Sequence, residues 1–115
     1  MGMDMWIENN DHSDLFFTGS AGWHVFSFFK KHGDVDLESC DLTCKLTKDI
    51  LAELIDVCCE VITHPELASE LLPCGRWDAY TNAYYRTLLT FVLQARYFLE
   101  NFDFENDELT LRADW

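Results

Sequence analysis

The chain has 115 residues, with 21 Asp and Glu against 8 Lys and Arg, a formal net charge of -13, and yet 49% of it is hydrophobic. That apolar share excludes a disordered acidic tail, which would pair high charge with low hydrophobicity, and the length predicts one domain with its own core. The charge argues against direct binding to nucleic acid or anionic membrane and directs attention to basic protein surfaces or cations.

In chain order, residues 3–8 and 14–18 have strand composition. The turn formers Asn9, Asn10, Asp11, His12 and Ser13 separate them, which predicts a hairpin. Residues 23–32 predict a short helix with Ser20 as its N-cap, Lys30, Lys31 and His32 in its last turn and Gly33 after it. Residues 34–44 form an acidic connector, loop or irregular strand, with Asp34, Asp36, Glu38 and Asp41 at near-alternate positions. Thr47 caps a helix reaching about Thr63, in which Ile50, Leu51, Leu54, Ile55, Cys58, Val61 and Ile62 share one face. His64-Pro65 breaks it, and Pro65 opens a shorter helical segment to about Leu72. Pro73-Cys74-Gly75 predicts a loop, and Asp78 the start of the longest helix. That helix runs to about Asn101 along a seam of Tyr84, Leu88, Phe91, Ala95, Phe98 and Phe102. Residues 108–115 alternate polar and apolar and predict a strand that pairs with the N-terminal hairpin. The expected fold is therefore α+β, a mostly helical single domain: three or four helices and a small antiparallel sheet from the N-terminal hairpin and C-terminal strand.

Arg86, Gln94, Arg96 and Glu100 interrupt the longest apolar stretch, so no membrane span is expected. The five cysteines are an odd set with no signal-peptide pattern before them, which predicts reduced thiols in a cytoplasmic protein.

The opening Met1-Gly2-Met3-Asp4-Met5-Trp6 resembles the Met-Gly-Leu-Asp-Met-Tyr opening of a family of short, largely uncharacterised phage and bacterial proteins. Trp23-His24, Leu71-Leu72-Pro73, the pair Tyr84-Tyr85 and the terminal Trp115 are similar in the same order. The resemblance implies a phage or prophage setting, inside a bacterial host, and a small α+β fold; it carries no activity across. This chain departs from the family by placing Glu8, Asp11 and Asp14 where basic residues often follow the opening strand.

Asp49, Glu53, Asp56 and Glu60 follow steps of four, three and four and so share one helix face, covering about 16 Å at about 1.5 Å per residue. One DNA strand presents a phosphate about every 3.4 Å, so roughly five phosphates fill the same length. With Asp34, Asp36, Glu38 and Asp41 just upstream, these eight carboxylates are the expected partner-binding residues, and Glu100, Asp103, Glu105, Asp107 and Glu108 add a further acidic cluster. A solvated amphipathic face is the plainer account of such a stripe. Against it stands the shortage of cations: only Lys48 lies nearby, whereas surface helices commonly place Lys or Arg four residues after Glu.

Cys40 and Cys44 have tolerable zinc spacing, with Cys58, Cys59, His64 or Cys74 to complete a set. There is no Cys-x-x-Cys pair, however, and Cys58 and Cys59 point to different sides of a helix, so no metal is expected. His24, among Trp23, Val25 and Phe26, reads as a core-edge histidine, and His32 and His64 as helix-end cations. With no nucleophile elbow, zincin motif or phosphate loop, neither catalysis nor a cofactor is expected. Phe16-Phe17, Phe28-Phe29 and Phe102-Asp103-Phe104 are either buried on two sides or leave one ring of each open to a partner or a second copy.

These features together point to a non-enzymatic, phage-type interaction protein. It would cover the basic nucleic-acid-binding surface of a host protein, such as a CRISPR effector or a restriction enzyme, as a DNA or RNA mimic. The alternative is an accessory protein acting through an apolar oligomer interface, a homodimer for instance, whose acidity serves only solubility.

Overall fold

The computed structural model describes residues 2–76 and 79–115. The chain runs β1 (Asp4–Glu8), β2 (Asp14–Thr18), a 3-10 turn (Ser20–His24), α1 (Phe26–His32), β3 (Asp34–Asp36), β4 (Asp41–Leu46) and α2 (Lys48–Thr63). A second 3-10 turn (Pro65–Leu67), α3 (Ala68–Leu71), α4 (Asn82–Asn101) and β5 (Leu109–Asp114) follow. The five strands make one antiparallel sheet in the order β2-β1-β5-β4-β3, so the last strand of the chain lies at its centre.

Alternation decides which face of that sheet is covered. Met5 and Ile7 of β1, Leu42, Cys44 and Leu46 of β4, and Leu109, Leu111 and Ala113 of β5 are all buried. They join one core with Leu51, Leu54 and Cys58 of α2 and Leu88, Phe91 and Ala95 of α4. Phe16 reaches across from β2 to meet Phe91 edge-on at 5.3 Å, and Phe29 of α1 lies 5.8 Å from the same ring. The intervening strand residues point to the opposite face, and the shortest Cα extent, 19 Å, is the thickness of two layers. The result is an α+β domain with its helices on one face of the sheet and the other face open.

The Thr47 helix forms as its sequence predicts. The Thr47 hydroxyl accepts the Ile50 N–H at 3.2 Å, and Leu51, Leu54, Cys58 and Val61 turn inward. Tyr84, Leu88, Phe91, Ala95 and Phe98 of the longest helix are likewise buried. Its expected start at Asp78 lies outside the described residues; the helix runs from Asn82 behind Thr81.

Two local expectations are corrected. Ser20 caps no helix, because its hydroxyl accepts the Met3 N–H at 3.3 Å and ties the segment to β1 instead. The predicted helix over residues 23–32 divides accordingly into the 3-10 turn and α1, with Val25 (φ -114°, ψ 3°) between them. Gly22 permits that contact, since a Cβ there would stand 2.9 Å from Met3 Sδ. The acidic connector is a β-hairpin rather than loop or irregular strand. Val35 pairs with Leu42, Cys40 takes a positive φ of 53°, and the Asp36 carboxylate closes the turn by accepting the N–H groups of Glu38 and Ser39 at 3.0 and 3.2 Å. Gly33 lets α1 hand the chain to β3, because a Cβ there would lie 2.6 Å from the Thr43 carbonyl oxygen. The C-terminal strand pairs with the N-terminal hairpin through β1, as expected, and also with β4.

Candidate partner-binding face

The open face of the sheet carries the charge in register. Asp4 of β1 pairs with Asp114 of β5, Asp114 with Asp41 of β4, and Asp41 with Asp36 of β3. Directly paired residues share a face, and neighbouring strands stand about 4.8 Å apart, so four carboxylates form a row about 14 Å long. Asp4, Asp36 and Asp114 are exposed and Asp41 is half-buried. Asp36 is held below the usual carboxylate range, first by the Ser39 backbone N–H and then by the Ser39 hydroxyl, and so stays ionised. Among the described residues, the side chains of Asp4, Asp41 and Asp114 have no hydrogen-bond or ion-pair partner.

The next row inward reads Phe17, Trp6, Arg112, Thr43, Asp34. Phe17 is 60% exposed at the β2 edge, and Leu37 is 76% exposed at the tip of the β3–β4 hairpin beside Glu38. The cations on this face are committed. Arg112 Nε lies 3.2 Å from Glu8 Oε1 with Nη1 on the Thr43 hydroxyl, and Lys45 Nζ lies 2.7 Å from Glu108. Arg112 therefore neutralises Glu8 and leaves the aspartate row uncompensated. The face accordingly offers a line of carboxylates flanked by exposed apolar side chains, a surface suited to guanidinium and ammonium groups of a protein partner.

The eight expected partner-binding residues divide between the two layers. Asp34, Asp36 and Asp41 lie on the open face, with Glu38 in the adjoining turn. Asp49, Glu53, Asp56 and Glu60 ride on α2 in the helix layer, away from the inward-facing Leu51, Leu54 and Cys58. Glu53 is itself engaged, 3.6 Å from Lys31 and 3.1 Å from His32 Nε2. The histidine ring is not aligned for a hydrogen bond, so this second contact is an ion pair that depends on His32 protonation. Asp4 and Asp114 were not among the eight. Their outward position follows from alternation in the end strands, but the register that aligns them with Asp41 joins opposite ends of the chain and has no local signal.

The remaining candidates are placed as follows. Cys44 and Cys58 are buried, and burial pushes their thiols up to about 11 and about 12, so both behave as apolar core atoms. Among the described residues, no three His, Cys, Asp or Glu side chains gather as a metal site. His24 is buried, with Nδ1 2.9 Å from the Thr87 hydroxyl, a core-edge histidine as its neighbours predict. One ring of Phe16-Phe17 is exposed; Phe28 and Phe29 are both buried, so the open-ring alternative fails there because α1 is packed on two sides. Phe102 and Phe104 meet edge to face, with ring centroids 4.9 Å apart, and are half-buried. No helix among the described residues is long and apolar enough to cross a membrane. No family model, no curated protein and no solved structure matches the chain.

Proposed function

We propose that this chain is a non-enzymatic binding protein whose open sheet face occupies the positively charged, nucleic-acid-binding surface of another protein, acting as a competitive mimic of DNA or RNA. The observation that carries the reading is the in-register row Asp4, Asp114, Asp41, Asp36, unbalanced by nearby cations. Aligned like charges weaken a sheet, so their placement is better explained by what they bind than by what they hold together. Diffusional encounter is steered by the net charge, and the complex is locked by charge-assisted bonds from partner Lys and Arg with Phe17 and Leu37 as apolar contacts. The resemblance to phage proteins makes a bacterial defence complex, a CRISPR effector or restriction enzyme, the natural target within the host cytoplasm.

The test is affinity capture from bacterial lysate with the wild-type chain and with a variant carrying Asp4→Lys, Asp41→Lys and Asp114→Lys. The wild type should retain a nucleic-acid-binding protein, release it to added DNA or RNA, and lose it steeply between about 50 and about 200 mM salt. Equal capture by the reversed variant would remove the sheet face from the mechanism. A second reading, association through an apolar patch, is favoured by one observation: Leu89, Leu93 and Tyr97 stand 50%, 60% and 59% exposed at steps of four along α4.

A further inference from the structure

Two copies of a chain with a net charge of -13 repel one another, so a second copy is best received on a face from which the acids are withdrawn. The outer side of α4 is such a face. Its exposed side chains include Arg86, Leu89, Leu93, Arg96, Tyr97 and Glu100, in which two cations outweigh one acid. Among the described residues these three charges form no ion pair within the chain, whereas Lys31, Lys45 and Arg112 are each held by a glutamate.

The order of these side chains along the helix is its own complement. Leu93 stands at the centre, Leu89 and Tyr97 lie four residues to either side, and Arg86 and Glu100 seven to either side. At 3.6 residues per turn the five fall within about 80° of arc, and at about 1.5 Å per residue they span about 21 Å. A second α4 laid antiparallel on the first, with a two-fold axis at Leu93, brings Leu93 against Leu93, Leu89 against Tyr97 and Arg86 against Glu100. The last two contacts occur twice, as an isologous interface requires. Parallel pairing in register would instead set Arg86 on Arg86 and Glu100 on Glu100. Shape follows the same order as charge. A hollow of about 390 Å³ beside Leu89 is lined by Ile62, Asn82, Tyr85 and Arg86, and the antiparallel pair places Tyr97 of the second copy opposite it. That ring is 59% exposed, an amphipathic anchor for an apolar hollow with a polar rim.

We propose that a second copy of this chain docks on α4 in antiparallel register centred on Leu93, giving a two-fold homodimer. The proposal rests on the apolar-patch reading above and adds its occupant, direction and register. Sedimentation equilibrium of the full chain should show monomer and dimer in exchange. Arg86→Glu and Glu100→Arg, both at exposed positions, should each weaken the dimer about tenfold, because two exposed ion pairs become two like-charge contacts, and the double variant should restore it. Leu93→Cys, in a Cys59→Ser background that removes the exposed native thiol, should give a disulfide-linked dimer on mild oxidation. Glu100→Cys in the same background should not, since antiparallel pairing holds the two copies of that position about 21 Å apart. A wild type that stays monomeric to millimolar concentration would overturn both the dimer and self-association through the strip. A dimer that the double variant fails to restore, or that links through Glu100→Cys and not through Leu93→Cys, would overturn the antiparallel register and leave apolar association standing.

Discussion

Among the described residues, Glu8 is the one carboxylate of the open face that the fold buries, at 6% exposure, and it is surrounded by donors. It takes a hydrogen bond from His12 and another from the Trp6 indole at 2.9 Å, and it lies beside Arg112. The His12 contact is the largest influence, followed by the indole, and together they hold the Glu8 pKa below its ordinary 4.5 against the opposing effect of burial. A carboxyl whose pKa is lower in the folded than in the unfolded state stabilises the fold above the unfolded value, and that contribution is lost as the pH falls through the folded value. Glu8→Gln should therefore unfold at a lower urea concentration than wild type near pH 7, with the gap closing below about pH 4.5. Urea midpoints measured at both ends of that range check the sign, and an equal gap at both would contradict it. The charge of Arg112 is absorbed by Glu8 and the Thr43 hydroxyl.

At the scale of elements, β5 determines how the aspartates meet, because Asp114 stands between Asp4 on one neighbour and Asp41 on the other. Like charges directly opposite each other on paired strands cost a few tenths to about 1 kcal/mol. Asp114→Asn removes two such contacts at once and should raise the melting temperature in low salt, with the gain shrinking as salt screens the row. A variant no more stable than wild type in low salt would mean that the row is not repulsive. Some elements are legible in the sequence because their signals are local. Thr47 precedes a 3.6-residue apolar period, and α2 forms with that cap. The β3–β4 hairpin has a weaker local signal although Leu42, Cys44 and Leu46 alternate, since β3 is three residues long and its acids suggest a connector. Its turn depends on Asp36 accepting backbone N–H groups and on Cys40 at positive φ, neither of which follows from composition. Asp34, Asp36 and Asp41 are legible in the sequence by their charge, whereas the register that sets Asp36 and Asp41 in one row is not. Asp4 and Asp114 enter only once the chain ends are paired.

Across the whole molecule the charge is distributed unevenly. The open sheet face presents the aspartate row, and α2 adds its own acids in the helix layer. The outer side of α4 instead carries Arg86 and Arg96 beside Leu89, Leu93 and Tyr97, with Glu100 as the acid of its last turn. Leu15 of β2, 40% exposed, meets Tyr97, Phe98 and Phe102 around a shallow cavity of about 360 Å³, which extends the apolar strip to the sheet edge. Two modes of association are therefore separable, because the aspartate row and the α4 strip lie on different layers and obey different physics. Attraction through the row falls with ionic strength, while burial of Leu93 against an apolar surface is nearly indifferent to it. If the strip joins two copies, Leu93→Glu should convert a dimer to monomer in sedimentation velocity at any salt concentration, since it inserts a charge where apolar area would be buried. The same variant should still capture a basic partner, because the aspartate row is untouched. A wild-type chain that sediments as a monomer in high salt as well as low would leave the row as the working surface and the strip as ordinary exposed side chains. A Leu93→Glu variant that also loses the basic partner would place α4 in that interface and require the row and the strip to act on one target.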